Sequence, residues 1–170
     1  MTLILTPDQP NVLVDGSGHA RIADFGFATV TQNLDSIPSA SGHHCHTPRW
    51  TAPEVLKEGT YSKEGDIFSF AMVMIEVRLK LSTVCRSPAY RDCILMQIFT
   101  GAIPFRGDST LKAMLAMTEG KRPSRPTYPT FTDSLWELMQ HCWDHDPHSR
   151  PEASGVSQVL LALSASRLSQ

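Results

Sequence analysis

Asp66-Ile67-Phe68-Ser69-Phe70-Ala71-Met72-Val73-Met74-Ile75-Glu76-Val77 is apolar on nearly every side of a helical wheel, with Ser69 the lone polar residue between Ile67 and Ile75. A helix without a solvent face belongs at the centre of a domain. The run is also well short of the ~20 apolar residues that a membrane-crossing helix requires. It therefore predicts a central core helix from about Asp66 to Val77, around which the rest of the chain is arranged.

On its C-terminal side the pattern stays helical. Leu111, Met114 and Leu115 repeat at helical spacing behind Ser109, a suitable N-cap, and Gly120 can end that helix. Leu135, Leu138, Met139 and Cys142 form a second stripe after Thr132 and Asp133, and Val156, Val159, Leu160 and Leu163 a third. Each stripe predicts a helix with one buried face. Between the first two, Lys121 to Thr130 carries Pro123, Pro126 and Pro129 and reads as an extended connection.

On the N-terminal side, Val12-Leu13-Val14 and Ala20-Arg21-Ile22 are short β-compatible runs joined by Asp15-Gly16-Ser17-Gly18, which suits a hairpin. Phe27 to Arg49 shows no sustained period and reads as a long irregular segment, and a short helical turn is expected near Glu54 to Lys57. The fold expected is mainly α, with a short β-hairpin.

At 170 residues the chain can bury a core without disulfides, and 15 Lys plus Arg against 17 Asp plus Glu argue against a strongly basic nucleic-acid surface. Met1 to Leu5 lacks the basic start of a signal peptide, and Cys45, Cys85, Cys93 and Cys142 form no Cys-x-x-Cys pair. An intracellular, cytoplasmic setting is expected, with neither nucleic acid nor membrane as partner. His43, His44, Cys45 and His46 are adjacent and cannot all face one tetrahedral ion, so a polar loop is the better account.

Asn11 precedes the first strand and Asp24 follows the second, so a hairpin of this size brings an amide oxygen and a carboxylate together as hard ligands suited to Mg²⁺; the same residues also commonly cap turns. Order decides between these readings. Asn11-Val12-Leu13-Val14, Ala23-Asp24-Phe25-Gly26, Arg49-Trp50-Thr51-Ala52-Pro53-Glu54, Asp66-Ile67-Phe68-Ser69-Phe70 and Cys142-Trp143 through Arg150-Pro151 together resemble the C-terminal lobe of a eukaryotic protein kinase. Trp50 and the Cys142-Trp143 pair resemble the tyrosine-kinase and tyrosine-kinase-like branches, and Thr47 favours the tyrosine-kinase-like Ser/Thr side.

The resemblance implies that residues 11–164 are the kinase match, with 1–10 a non-matching start and 165–170 a tail. It implies that Asp24 bridges Mg²⁺ to the phosphates of ATP, that Asn11 holds the second metal position, and that Leu13 floors the adenine above Val73 and Val77. Phe25 would join a regulatory apolar stack beside Gly26, and Asp24 to Glu54 would be the activation segment, which includes Thr47. Glu54 would pair with Arg150, and Asp66 would anchor the catalytic loop. Protein substrates or other kinases are the implied partners.

The sequence departs from the family in two places. Thr6 occupies the position of the catalytic base, five residues before Asn11, and Asp8 stands where a phosphate-contacting Lys is usual. With no glycine-rich loop or β-strand Lys in the stretch, the N-terminal lobe is expected to be absent, ATP binding weak or nil, and the chain inactive alone. The alternatives are a pseudokinase-like interaction module and a mispredicted gene fragment. The second departure is Arg78 to Gln97, which matches no family element and intervenes before Phe99-Thr100-Gly101-Ala102-Ile103-Pro104-Phe105; an in-frame retained intron and a surface insertion are its two explanations.

Overall fold

The computed structural model describes residues 12–14, 20–22, 48–59, 61–76, 103–127 and 131–168. Two three-residue strands, β1 (Val12–Val14) and β2 (Ala20–Ile22), pair antiparallel with Val12 opposite Ile22 and Val14 opposite Ala20. The expected turn at Asp15 to Gly18 lies outside the described residues. The helical body follows: α1 (Pro53–Glu58), α2 (Lys63–Glu76), α3 (Thr110–Thr118), α4 (Asp133–Cys142), a 3-10 turn (Pro147–Ser149) and α5 (Ala153–Leu168).

Helix α2 is the hub, and it begins three residues before the expected Asp66. The Ser62 hydroxyl accepts the Gly65 N–H at 3.0 Å and the Ser62 carbonyl accepts the Asp66 N–H, so Ser62 caps the helix ahead of the apolar run. Gly65 in the first turn marks a close approach: a Cβ there would lie 3.1 Å from Val55 Cγ2 on α1. Phe68, Ala71 and Met72 are wholly buried, with Ile67, Met74 and Ile75 nearly so, as an all-round apolar helix requires.

Helix α4 packs against α2, and α5 against α4. The α4 stripe reads correctly: Leu135, Leu138, Met139 and Cys142 are all buried, after an N-cap in which Thr132 accepts the Leu135 N–H. Burial of the Cys142 thiol pushes its pKa up to about 12. Trp136 bridges Phe131 and Trp143 through edge-to-face contacts at 5.9 and 5.4 Å between centroids.

Two expected stripes need correction. In α3, Ser109 caps as expected by accepting the Lys112 N–H. The buried face, however, is Ala113 and Met117, while Leu111 and Leu115 are 66% and 54% exposed. Helical spacing reports a face, not what it faces, and here the smaller pair one register over meets the core. In α5, Val156 is buried and Leu160 and Leu163 half-buried, but Val159 points outward. The first part of the connection after α3, Lys121 to Thr127, is in neither helix nor strand.

Candidate functional site

Pro53 starts α1 because its fixed φ suits the first helical position, which places Glu54 in the first turn. Arg150 follows the 3-10 turn, which is capped by the Asp146 carboxylate accepting the His148 N–H. These two local structures aim their side chains at each other. Arg150 Nη1 donates to Glu54 Oε1 at 2.6 Å and Nη2 to Oε2 at 2.9 Å, a two-pronged bond between residues 96 apart in sequence. Two further donors are used as well: Nη1 donates to the Glu64 carbonyl at 2.8 Å and Nε to the Asp144 carbonyl at 2.9 Å. Planar guanidinium and carboxylate match in this geometry, and Lys could not reproduce it. The Arg150 side chain is fully buried and that of Glu54 is 19% exposed, so the pair is shielded from salt.

Phe68, wholly buried in α2, carries two guanidinium groups on its ring. The Arg150 guanidinium carbon lies 5.1 Å from the ring centroid, and that of Arg122 lies 5.0 Å away. In a dry site such contacts are worth about 2 kcal/mol. Arg122 comes from the connection after α3 and donates through Nε to the Trp143 carbonyl at 2.8 Å and through Nη1 to the Met117 carbonyl at 3.2 Å. Burial lowers the Arg122 pKa, the nearby Arg150 charge lowers it further, and Asp144 and Glu54 oppose the shift.

Ser69, the polar interruption of the core helix, donates to the Trp50 carbonyl at 2.7 Å, with the Gly65 carbonyl one turn back at 3.1 Å. It ties α2 to the strand of chain entering α1. A lone hydroxyl in an otherwise apolar helix must have a partner, and that signal could have found it. Arg122 and Arg49 were not legible, because their partners are main-chain carbonyls, which carry no residue identity.

Of the sequence-derived candidates, the structure brings Glu54 and Arg150 together. Asp66 is half-buried in the first turn of α2, and Val73 is half-buried against the core. Leu13 is described in its backbone alone, paired with Arg21. Thr6, Asn11, Asp24, Phe25, Gly26, Thr47, Val77, the His43 to His46 cluster and Arg78 to Gln97 lie outside the described residues. In β1 and β2 the strand ends Val12 and Ile22 are paired side by side. Among the described residues, no three His, Cys, Asp or Glu gather where they could hold a metal ion, and no helix is long and apolar enough to cross a membrane. The arrangement around Glu54 and Arg150 holds two distant segments of chain together.

A family profile described as protein tyrosine and serine/threonine kinase matches residues 9–160. The chain belongs to this protein kinase family. Among its curated relatives is a serine/threonine-protein kinase/receptor of Acanthamoeba polyphaga mimivirus, 32% identical over 153 residues, which are 90% of this chain and 8% of that protein. The Fujinami sarcoma virus tyrosine-protein kinase transforming protein Fps is 30% identical over 154 residues, 90% of this chain and 15% of the relative. A dual specificity protein kinase of Dictyostelium discoideum is 30% identical over 161 residues, 94% of this chain and 10% of the relative. The chain thus spans less than a sixth of the length of each of these kinases.

Proposed function

We propose that residues 11–164 form the C-terminal lobe of a protein kinase on the tyrosine-kinase-like Ser/Thr side, a member of the machinery that phosphorylates intracellular proteins. The observation that carries this reading is the Arg150 fork on Glu54, which joins the Ala52-Pro53-Glu54 motif to the Arg150-Pro151 motif across 96 positions. In this reading the fork ties the end of the activation segment, Asp24 to Glu54, onto the helical base. Asn11 and Asp24 hold Mg²⁺, Leu13 and Val73 lie toward the adenine, and Phe25 and Gly26 complete the segment's start. Mg²⁺-ATP would supply the transferable γ-phosphate. The β1–β2 pair is read as the ends of one hairpin.

Chemistry at the base position argues that these 170 residues transfer no phosphate on their own. Thr6 offers a neutral hydroxyl where a carboxylate must accept the substrate proton, and Asp8 places negative charge where phosphate must approach. A radiolabel-transfer assay with generic protein substrates should give background label in wild type and in Asp24→Ala alike. Turnover that survives repurification and disappears in Asp24→Ala would overturn this. Calorimetry should find Mg²⁺-ATP binding weaker than micromolar, that is, less than about 8 kcal/mol of binding free energy.

A non-catalytic interaction module, held by another kinase or a protein substrate through its helical face, is the second reading. The exposed Ile103, Leu111 and Leu115 beside and along α3 favour it.

A further inference from the structure

Pro104 to Gly107 is a turn leading into α3, and it holds an unusual backbone. Phe105 has φ of +56°, the one non-glycine residue among those described with a left-handed φ. A bulky side chain there crowds its own backbone, and such a conformation persists only where its surroundings impose it. Gly107, at φ +97°, takes up the rest of the turn.

What imposes it comes from the far side of the sequence. Arg49, only 7% exposed, donates through Nη1 to the carbonyls of Pro104 at 3.0 Å and Phe105 at 3.2 Å, and through Nη2 to the Asp108 carbonyl at 2.5 Å. Its three acceptors fall within five residues, and the Phe105 carbonyl also receives the Asp108 N–H at 3.0 Å. Among the described residues Arg49 meets no carboxylate. Its fork is spent on the shape of one turn, and three carbonyls converging on one point are an arrangement that a relaxed turn would not keep.

We infer that Arg49 is a positioning residue: it holds the 104–108 turn in its left-handed form and thereby fixes where α3 starts and where that helix presents Leu111 and Leu115. Movement of the chain just before α1 withdraws the guanidinium and releases the turn, so the two segments shift together. The holding of the turn is independent of the kinase reading; its regulatory meaning, transmission from the activation segment to the α3 edge, rests on that reading.

The test uses the full chain and needs no phosphate transfer, so failure of the kinase reading leaves it intact. Hydrogen exchange by mass spectrometry on Arg49→Gln should show at least about tenfold loss of protection in 104–113, with α4 unchanged, as expected for local rather than global opening. Unchanged protection, or equal loss in α3 and α4, overturns the proposal. If Arg49→Gln does not fold, Arg49→Lys, which keeps the charge but not the fork, should show the same confined loss at smaller size.

A second measurement isolates the strain. Phe105→Gly and Phe105→Ala both remove the ring, but only glycine accepts positive φ freely. With Arg49 present, Phe105→Gly should fold with an equilibrium constant roughly five- to thirtyfold above Phe105→Ala. In the Arg49→Lys background the gap should shrink. An alanine variant at least as stable as the glycine variant, or a gap indifferent to Arg49, overturns the proposal.

Discussion

Helices α3 and α4 are nearly matched in length, at nine and ten residues, and both open on a hydroxyl that caps the helix. They are nevertheless held by different forces. Helix α4 buries Leu135, Leu138, Met139 and Cys142, while α3 buries only Ala113 and Met117 and leaves two leucines in solvent. In place of apolar area, α3 has an arginine at each end: Arg49 on the turn before it and Arg122 on the Met117 carbonyl near its close. Apolar burial is strong but undirected, whereas these bonds fix position more than they add stability. The base is therefore built for stability around α2 and α4, and α3 is built to be placed.

The largest effect should come from the bolt that fastens the α4 side to α1. Glu54→Gln keeps the shape but leaves the Arg150 charge buried without its counter-charge, at a cost of about 3 to 5 kcal/mol. Urea melts of the two proteins measure this. A loss below about 1 kcal/mol would mean that the three carbonyl and ring contacts of Arg150 suffice, and that the base does not depend on the ion pair.

Next in size is α4 itself. Leu138→Ala removes a 7%-exposed side chain from the core cluster to which α2 and α4 both contribute and should cost about 2 to 5 kcal/mol, depending on how far the neighbours close the cavity. A cost near zero would erase the distinction between the two helices.

That distinction also marks where sequence reading succeeded. The α2 run and the α4 stripe were legible because enough apolar residues share one periodicity that only burial satisfies it. The α3 stripe was not, since Leu111, Met114 and Leu115 make the same pattern whether they meet a core or water. The start of α2 was missed because Gly65 obscures the helix that Ser62 already caps. Glu54 and Arg150 were legible only through the order of the family motifs; 96 residues of separation leave no local signal. Arg49 and Arg122 bond to carbonyls, which every residue has, and no pattern of side chains announces them, whereas Ser69 is marked by being the one hydroxyl in an apolar run. The expected metal ligands Asn11 and Asp24 lie outside the described residues, and of the expected adenine contacts Leu13 is described in its backbone pairing and Val73 in its burial on α2.

A smaller effect separates the two helices by pH. Cys142 on α4 is 1% exposed, and its thiol is held protonated up to about 12, against an ordinary value of 9.0. Between those values the unfolded chain loses the proton and the folded one keeps it, so the folded state binds more protons. Stability is then at its full value below pH 9.0 and falls as pH rises toward about 12, by at most about 1.4 kcal/mol per pH unit. Denaturant melts from pH 8 to 11 should show a shallower decline in Cys142→Ala than in wild type. The offset between the two proteins reports the cavity, and the difference in slope reports the thiol. Equal slopes would show that water reaches Cys142.

The smallest effect belongs to the α3 edge, and it is the sharpest test of the comparison. Leu111→Gln and Leu115→Gln change side chains that are 66% and 54% exposed and leave the main-chain cap bonds in place, and each should stay within about 0.5 kcal/mol of wild type. The rival arrangement has the apolar residues of Arg78 to Gln97, among them Leu79, Leu81, Ile94, Leu95 and Met96, covering these leucines. Burying even two such side chains would contribute about 3 to 6 kcal/mol, far more than the roughly 1 kcal/mol of closure entropy gained by shortening a loop. Deleting residues 78–97 therefore decides the matter with the same readout. If α3 presents a bare edge, the deletion leaves the thermal midpoint unchanged or slightly raised, and the leucine substitutions are silent with or without it. If the midpoint falls by many degrees, and the leucine substitutions cost stability only while residues 78–97 are present, then α3 is held by burial after all and the contrast with α4 disappears.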